Sequence, residues 1–286
     1  AIEDGDLEVL RSVLSGNNAQ WSQAQQTHLL NNQLLERPFT GWQHLIGDHA
    51  QISVNPRLSE VTATITQTYR IDNNLPIKQA TIVQTAFFRL GEQGWLYTNP
   101  IDTYWGSEQQ LLGEQITLVY PAIDDDYAQE LAQFLDPLIN RYCQQLSRCP
   151  NSLNITLNLN ANPSTIPALF DHQQLDLGAL QLIDLPTISL IGRPADAQSA
   201  QALYGIYGAA VLTALNRQYV IQERLGQKPF DLLLLDQQLA QLNLPQQYQP
   251  DTAALDPLWL DELLNYRPLW SFGTISTNGE SLGRVH

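Results

Sequence analysis

The chain reads as an α+β protein in two units, and two changes of hydrophobic period predict it. In the first third, two helical patterns give way to strict alternation. SEVTATITQTYRI sets Val61, Ala63, Ile65, Gln67, Tyr69 and Ile71 against Thr62, Thr64, Thr66, Thr68 and Arg70, a period of two that lays one apolar and one polar face along a strand. From about Glu114 the order changes to strand, helix, strand, strand and then a helical half, an α/β arrangement. The junction falls in GSEQQLLGE, which sets units at residues 1–110 and 114–286.

Each element has its own local reason. EDGDLEVLRSVLSG places Leu7, Leu10 and Leu14 at helical spacing, with acids in the first turn and Gly16 as a stop signal. AQWSQAQQTHLLNNQLL repeats the helical pattern, and Pro38 with Gly41 then breaks it. ATIVQTAFFRL, the GEQG turn and WLYT form a second strand pairing. In the second unit QITLVYP, NITLNLN and LPTISLIG read as strands. The segment from Asp124 to Leu146 reads as a helix broken or bent at Pro137. Three helical stretches close the chain: DAQSAQALYGIYGAAVLTALNRQYVIQERL, FDLLLLDQQLAQLNL and DPLWLDELLNY.

Composition narrows the function classes. At 286 residues, with 43% hydrophobic residues, six Trp and eleven Tyr, the chain has ample material for cores. Fourteen basic against 29 acidic residues give a formal charge of −15, and Lys78 and Lys228 are the only lysines. Such a surface repels phosphate backbones and anionic membranes, so nucleic acid is excluded as a partner. Only 15% of residues are charged, and Gln, Asn and Thr take the polar positions, a texture that suits an extracytoplasmic protein. No apolar run is long enough to span a bilayer and no signal-like segment opens the chain. A start at Ala1 and the absence of Met point to the excised portion of a longer precursor, with any membrane contact made by a segment outside this chain.

RYCQQLSRCP holds the only two cysteines, Cys143 and Cys149. Six residues apart on an unbroken helix, two Cα atoms lie about 9 Å apart and face different sides, whereas a disulfide needs roughly 4.4 to 6.8 Å. The helix must end between them for a bridge to form. Pro150 and the fading of the amphipathic pattern after Leu146 favour that ending. A disulfide is the leading reading, two free thiols the alternative. Metal is the weakest, because no His or second Cys pair completes a tetrahedral set.

Over residues 1–110, EDGDLEVLRSVLS, the Thr-rich strand and FFRLGEQGWLYT followed by DTYWG resemble the NTF2-like (cystatin-like) cone folds. The resemblance implies helices wrapped in a curved antiparallel sheet, and a pocket. His44, Asp48 and His49 are the candidate residues there, since an Asp-His pair in such a pocket can do acid-base work. HLIGDH also reads as a surface loop with an Asp-Gly turn. Arg70, Arg89 and Tyr97 are further residues of the sheet, with Arg89 read as part of a solvated face.

PLWLDELLNY resembles the segment of gluzincin (peptidase MA-like) metallopeptidases that supplies the third zinc ligand, which would fall on Glu262. The match covers Pro257, Trp259, Leu260, Glu262 and Tyr266 and departs at Leu263, where the family usually has Gly. The family's preceding helix carries H-E-x-x-H, two imidazoles on one helical face with a Glu that activates water. The corresponding helix here, QALYGIYGAAVLTALNRQY, holds neither His nor acid. The five histidines, His28, His44, His49, His172 and His286, form no such pair. The resemblance therefore implies a degenerate peptidase-like domain without metal or cofactor, in which Glu262, Trp259 and Tyr266 line a remnant groove and Arg217 or Tyr204 could satisfy Glu262.

Other motifs have plainer explanations. Gly205, Gly208 and Ala209 suit close helix packing, Asp124 to Asp126 suit a helix start, and Gly279 to Gly283 spells a nucleophile-elbow string without the strand and helix such an elbow needs. The sequence thus points to a non-catalytic extracytoplasmic module of a bacterial surface protein that binds a small molecule, a protein or a peptide. The alternatives are a hydrolase or an acid-base enzyme using the first unit's pocket, and a structural spacer.

Overall fold

A computed structural model describes residues 7–30, 42–45, 49–71, 77–92, 94–145, 153–170, 182–216, 276–277 and 280–281. It is a mixture of helix and sheet. Helix α1 (Leu7–Val13) ends before Leu14 and Ser15, which run alongside a later strand. Gly16, at φ 63°, then turns the chain into α2 (Ala19–Leu30), a left-handed backbone that glycine adopts without a Cβ penalty. Asn18 caps that helix, its Oδ1 accepting the Trp21 N–H at 2.9 Å.

The first sheet is built on a long hairpin of β3 (Glu60–Ile71) and β4 (Gln79–Gly91), paired antiparallel without interruption from Glu60↔Arg89 to Arg70↔Gln79. Strands β1 (Trp42–His44) and β2 (His49–Val54) share the outer edge of β3, and β5 (Gly94–Thr98) pairs with β4. The alternation does what its period predicts: Tyr69, Ile71, Ala80 and Ile82 are buried on one face, and the threonines look the other way.

A short helix α3 (Asp102–Trp105) leads to the second sheet, in the order β6 (Glu108–Leu112), β7 (Ile116–Pro121), β8 (Ile155–Asn160), β9 (Leu182–Pro186). The first pair is antiparallel and the other two are parallel. The β7–β8 crossover is α4 (Asp125–Gln145), which runs continuously through Pro137 rather than breaking there. Its Leu131, Leu135, Ile139 and Tyr142 are fully buried, so packing of the apolar stripe outweighs the one helical hydrogen bond that proline removes. Helix α5 (Ile166–Phe170) carries the chain from β8 to β9.

LPTISLIG departs from the expected strand. The strand lies earlier, at Leu182–Pro186, and Ile188–Ile191 form a helical turn, α6. The cause is a distant side chain: Asp124 accepts the Ser189 N–H at 3.1 Å and the hydroxyls of Thr187 and Ser189. It satisfies donors that a continued strand would have offered to a neighbour.

Gly192, at φ 114°, passes so close to β4 that a Cβ would lie 2.3 Å from Ile82 Cγ2. It leads into β10 (Arg193–Pro194), which joins the first sheet against Ile82 and Val83, and then into α7 (Ala197–Asn216). Thr81 is held on both sides, its carbonyl accepting the Ala195 N–H at 2.9 Å and its N–H donating to Ser199 Oγ at 2.7 Å. The boundary at 110–114 falls within β6 and the turn to β7, and one continuous core joins Tyr69, Ile71 and Ile82 of the first sheet to Leu118, Leu157 and Leu185 of the second through Leu203, Tyr207 and Val211 of α7. Gly205, Gly208 and Ala209 are all buried in that helix.

Candidate functional site

The polar face of the β3–β4 hairpin forms one wall of a cavity of about 740 Å³, within the range usual for small-molecule sites. Residues of opposite strands that stand in register share a face, which puts Glu60, Thr62, Phe87 and Arg89 on this wall together. Tyr104 of α3 closes one side, its ring meeting Phe87 edge to face at a centroid separation of 4.7 Å. Asn17 and Asn18, just before α2, also line the cavity.

Arg89 is the unusual group. It is half-buried; its Nη2 donates to the Ser15 carbonyl at 3.0 Å, and its Nε is buried without any hydrogen-bond partner. Ser15 is fixed in turn, donating its N–H to the Tyr97 carbonyl at 2.8 Å and sharing a 3.0 Å hydrogen bond with the Thr98 hydroxyl. The backbone beneath is held by Trp21, which packs edge-on against Tyr97 at 4.9 Å beside Leu10 and Leu14. A buried donor left unmet carries a desolvation cost of about 1 to 3 kcal/mol.

Arg89 and Glu60 form a pair that does not close. The Leu90 N–H donates to the Ser59 carbonyl, so the adjacent pair Glu60↔Arg89 is a non-hydrogen-bonded one, the closer of the two antiparallel spacings. Yet Glu60 Oε2 accepts from Asn55 Nδ2 at 3.1 Å, while Arg89 turns to Ser15. Asn55 is itself locked, its Oδ1 accepting the Ser59 and Glu60 N–H groups at 2.9 and 3.2 Å. Two opposite charges are thus held apart on the wall of one cavity.

The structure does not bring His44 and His49 together. His44 pairs with Tyr69 and His49 with Thr66. Those two positions of β3 are an odd number of residues apart, so the imidazoles leave opposite faces of the sheet. His44 rests against the Tyr69 ring at 5.6 Å, and His49 is exposed. Arg70 is exposed and donates to Gln43. Asp48, Cys149, Arg217, Trp259, Glu262 and Tyr266 lie outside the described residues. Cys143 is half-buried against the core in the last turn of α4. Tyr204, considered as a partner for Glu262, donates its hydroxyl to Glu130 of α4 at 2.8 Å. Burial, then that hydrogen bond, raises its pKa above the usual tyrosine range. Glu280–Ser281 of the elbow string pairs antiparallel with Ser276–Thr277.

Two other polar sites are less suited to a ligand. The Asp124 cluster extends through Ser189 Oγ, which accepts from Arg193 Nε at 2.8 Å, and the Arg193 guanidinium lies over the Tyr127 ring at 5.6 Å. Asp124, Thr187 and Ser189 are buried, with both hydroxyls bonded to the carboxylate, a structural tie between the segments that follow β7 and β9 of the second sheet. A smaller cavity of about 230 Å³ lies at the carboxyl ends of β7 and β8, but its Tyr120 and Asn158 side chains are already engaged. Tyr120 donates to Asp125 at 2.7 Å and Asn158 to Asp184 at 2.6 Å. Among the described residues no group of His, Cys, Asp and Glu could hold a metal ion, and no helix is long and apolar enough to cross a membrane.

The sequence reading named Arg89 but assigned it to a solvated face, and it missed Glu60, Phe87 and Tyr104 as a group. The GEQG turn fixes the register of β4 on β5, but nothing local fixes β3 on β4, and that register places Glu60 beside Arg89. Comparison with family models, with curated proteins and with solved structures finds no match to this chain.

Proposed function

We propose that this chain is a non-catalytic, extracytoplasmic ligand-binding module of a bacterial surface protein and that the groove over β3 and β4 is its binding site. The observation that carries the reading is the half-buried Arg89 side chain on the wall of a 740 Å³ cavity flanked by the Phe87–Tyr104 pair. A planar apolar ligand body would lie against the rings, and an acceptor group, a carboxylate above all, would take the Arg89 donor. Two helices followed by a long antiparallel hairpin support the NTF2-like reading of the first unit. Parallel strands joined by α4 agree with an α/β second unit.

The extracytoplasmic address rests on the low charge density and on a Cys143–Cys149 bridge, which alkylation of the unreduced protein tests by mass. Two labelled thiols would remove that support.

The binding reading is tested by titrating the intact chain with 3-phenylpropionate and following the arginine Nε–H signals by NMR. A saturable shift at Arg89 is the expected result. No shift at that signal with 3-phenylpropionate or with L-phenylalanine up to millimolar ligand would overturn the reading.

A further inference from the structure

Resting on that reading, we infer that the ligand is a zwitterion, an amino acid with an aromatic side chain, whose carboxylate meets Arg89 and whose ammonium meets Glu60. Register makes these two residues nearest neighbours across the strands, the arrangement in which opposite charges ordinarily pair. Here each is drawn away by a separate anchor. Asn55 holds one oxygen of Glu60 from the turn before β3, and the Ser15 carbonyl holds Arg89 from beside β5. The site therefore presents an acceptor and a donor of opposite charge side by side to whatever fills the cavity, without the cost of first breaking an ion pair.

Charge on the larger scale points the same way. At a formal −15 the protein's own field opposes the approach of a net anion, so a simple carboxylate meets Arg89 against that field and with Glu60 beside it. A zwitterion carries no net charge and turns Glu60 from a repulsive neighbour into a partner. The third element is apolar: Phe87 and Tyr104, edge to face, offer a ring wall adjoining the charged pair, which suits an aromatic side chain.

Calorimetric titration of the intact chain with L-phenylalanine, 3-phenylpropionate and phenethylamine separates the contributions, because the second lacks the ammonium and the third the carboxylate. L-Phenylalanine is expected to bind at least about tenfold more tightly than either, each deletion removing one charge-assisted hydrogen bond. In Glu60→Gln, L-phenylalanine should fall to within about twofold of 3-phenylpropionate, the pattern of a lost charge partner. If 3-phenylpropionate binds wild type as tightly as L-phenylalanine, the zwitterion is wrong and the carboxylate-binding groove stands. If phenethylamine binds most tightly, the Arg89 anchor is wrong as well. Failure of all three at millimolar concentration overturns both the inference and the binding reading.

Discussion

Glu60 and Arg89 stand opposite each other in the close register of an antiparallel pair, yet Glu60 is bonded to Asn55 and Arg89 to the Ser15 carbonyl. A double-mutant cycle should therefore show them to be energetically independent in the unliganded protein. Glu60→Gln is expected to change stability by less than about 0.5 kcal/mol, as for an exposed side chain. Arg89→Met, which loses the bond to Ser15, should cost about 1 to 2 kcal/mol. Their coupling in urea unfolding should stay below about 0.5 kcal/mol; a coupling above about 1 kcal/mol would mean that the two charges pair in solution.

Asp124 is fully buried and holds the start of α6 through Thr187 and Ser189. Asp124→Ala strands three donors in the interior and should cost about 3 to 5 kcal/mol, the range for breaking a buried charged network. Thr187→Val removes a single hydroxyl and should cost about 1 kcal/mol. Equal, small losses in chemical denaturation would show that α6 forms without the distant cap.

Burial, followed by the hydrogen bond and charge of Asp125, pushes the Tyr120 hydroxyl up to about 12. Tyr204 and Tyr207 are shifted in the same direction, each first by burial. A tyrosine whose folded pKa exceeds its unfolded value near 10 binds its proton more tightly when folded. Its contribution is whole below about pH 10 and is lost as pH rises toward the folded value. Stability should fall steeply from pH 10 to 12, and less steeply in Tyr120→Phe. Denaturant midpoints measured across that window decide the matter, and identical slopes for the two proteins would contradict it.

The shared core bears on whether residues 1–110 fold alone, as the sequence organisation expects. In the whole chain, Tyr69, Ile71 and Ile82 are covered in a core that includes Leu203 and Tyr207 of α7, and β10 completes the sheet beside β4. Cut at residue 110, the fragment bares that face. It should melt without a cooperative transition and bind a hydrophobic dye, while the intact chain does neither. A cooperative melt of the fragment would establish the first unit as an independent domain.

The sequence by itself determined the elements whose cause is local. The alternation in SEVTATITQTYRI gave β3 its two faces and the FFRLGEQGWLYT turn gave the β4–β5 hairpin, whereas Pro137 reads locally as a break in α4 that the burial of Leu131, Leu135, Ile139 and Tyr142 overrides. Period and turn chemistry act over a few residues, so a linear reading recovers them. The tertiary structure decided what depends on residues far apart. LPTISLIG has strand-like composition, and Ile188–Ile191 become helical because Asp124, 65 positions before Ser189, supplies the acceptor for their first turn. His44 and His49 look like one site in HLIGDH, and the count of residues along β3 sends them to opposite faces. Glu60 and Arg89 look like unrelated surface charges, and the register of two strands makes them neighbours that separate anchors on Asn55 and Ser15 keep from pairing. Hydrogen-bond geometry and register are set by the packing of the whole chain, and neither has a local signature in the order of the residues.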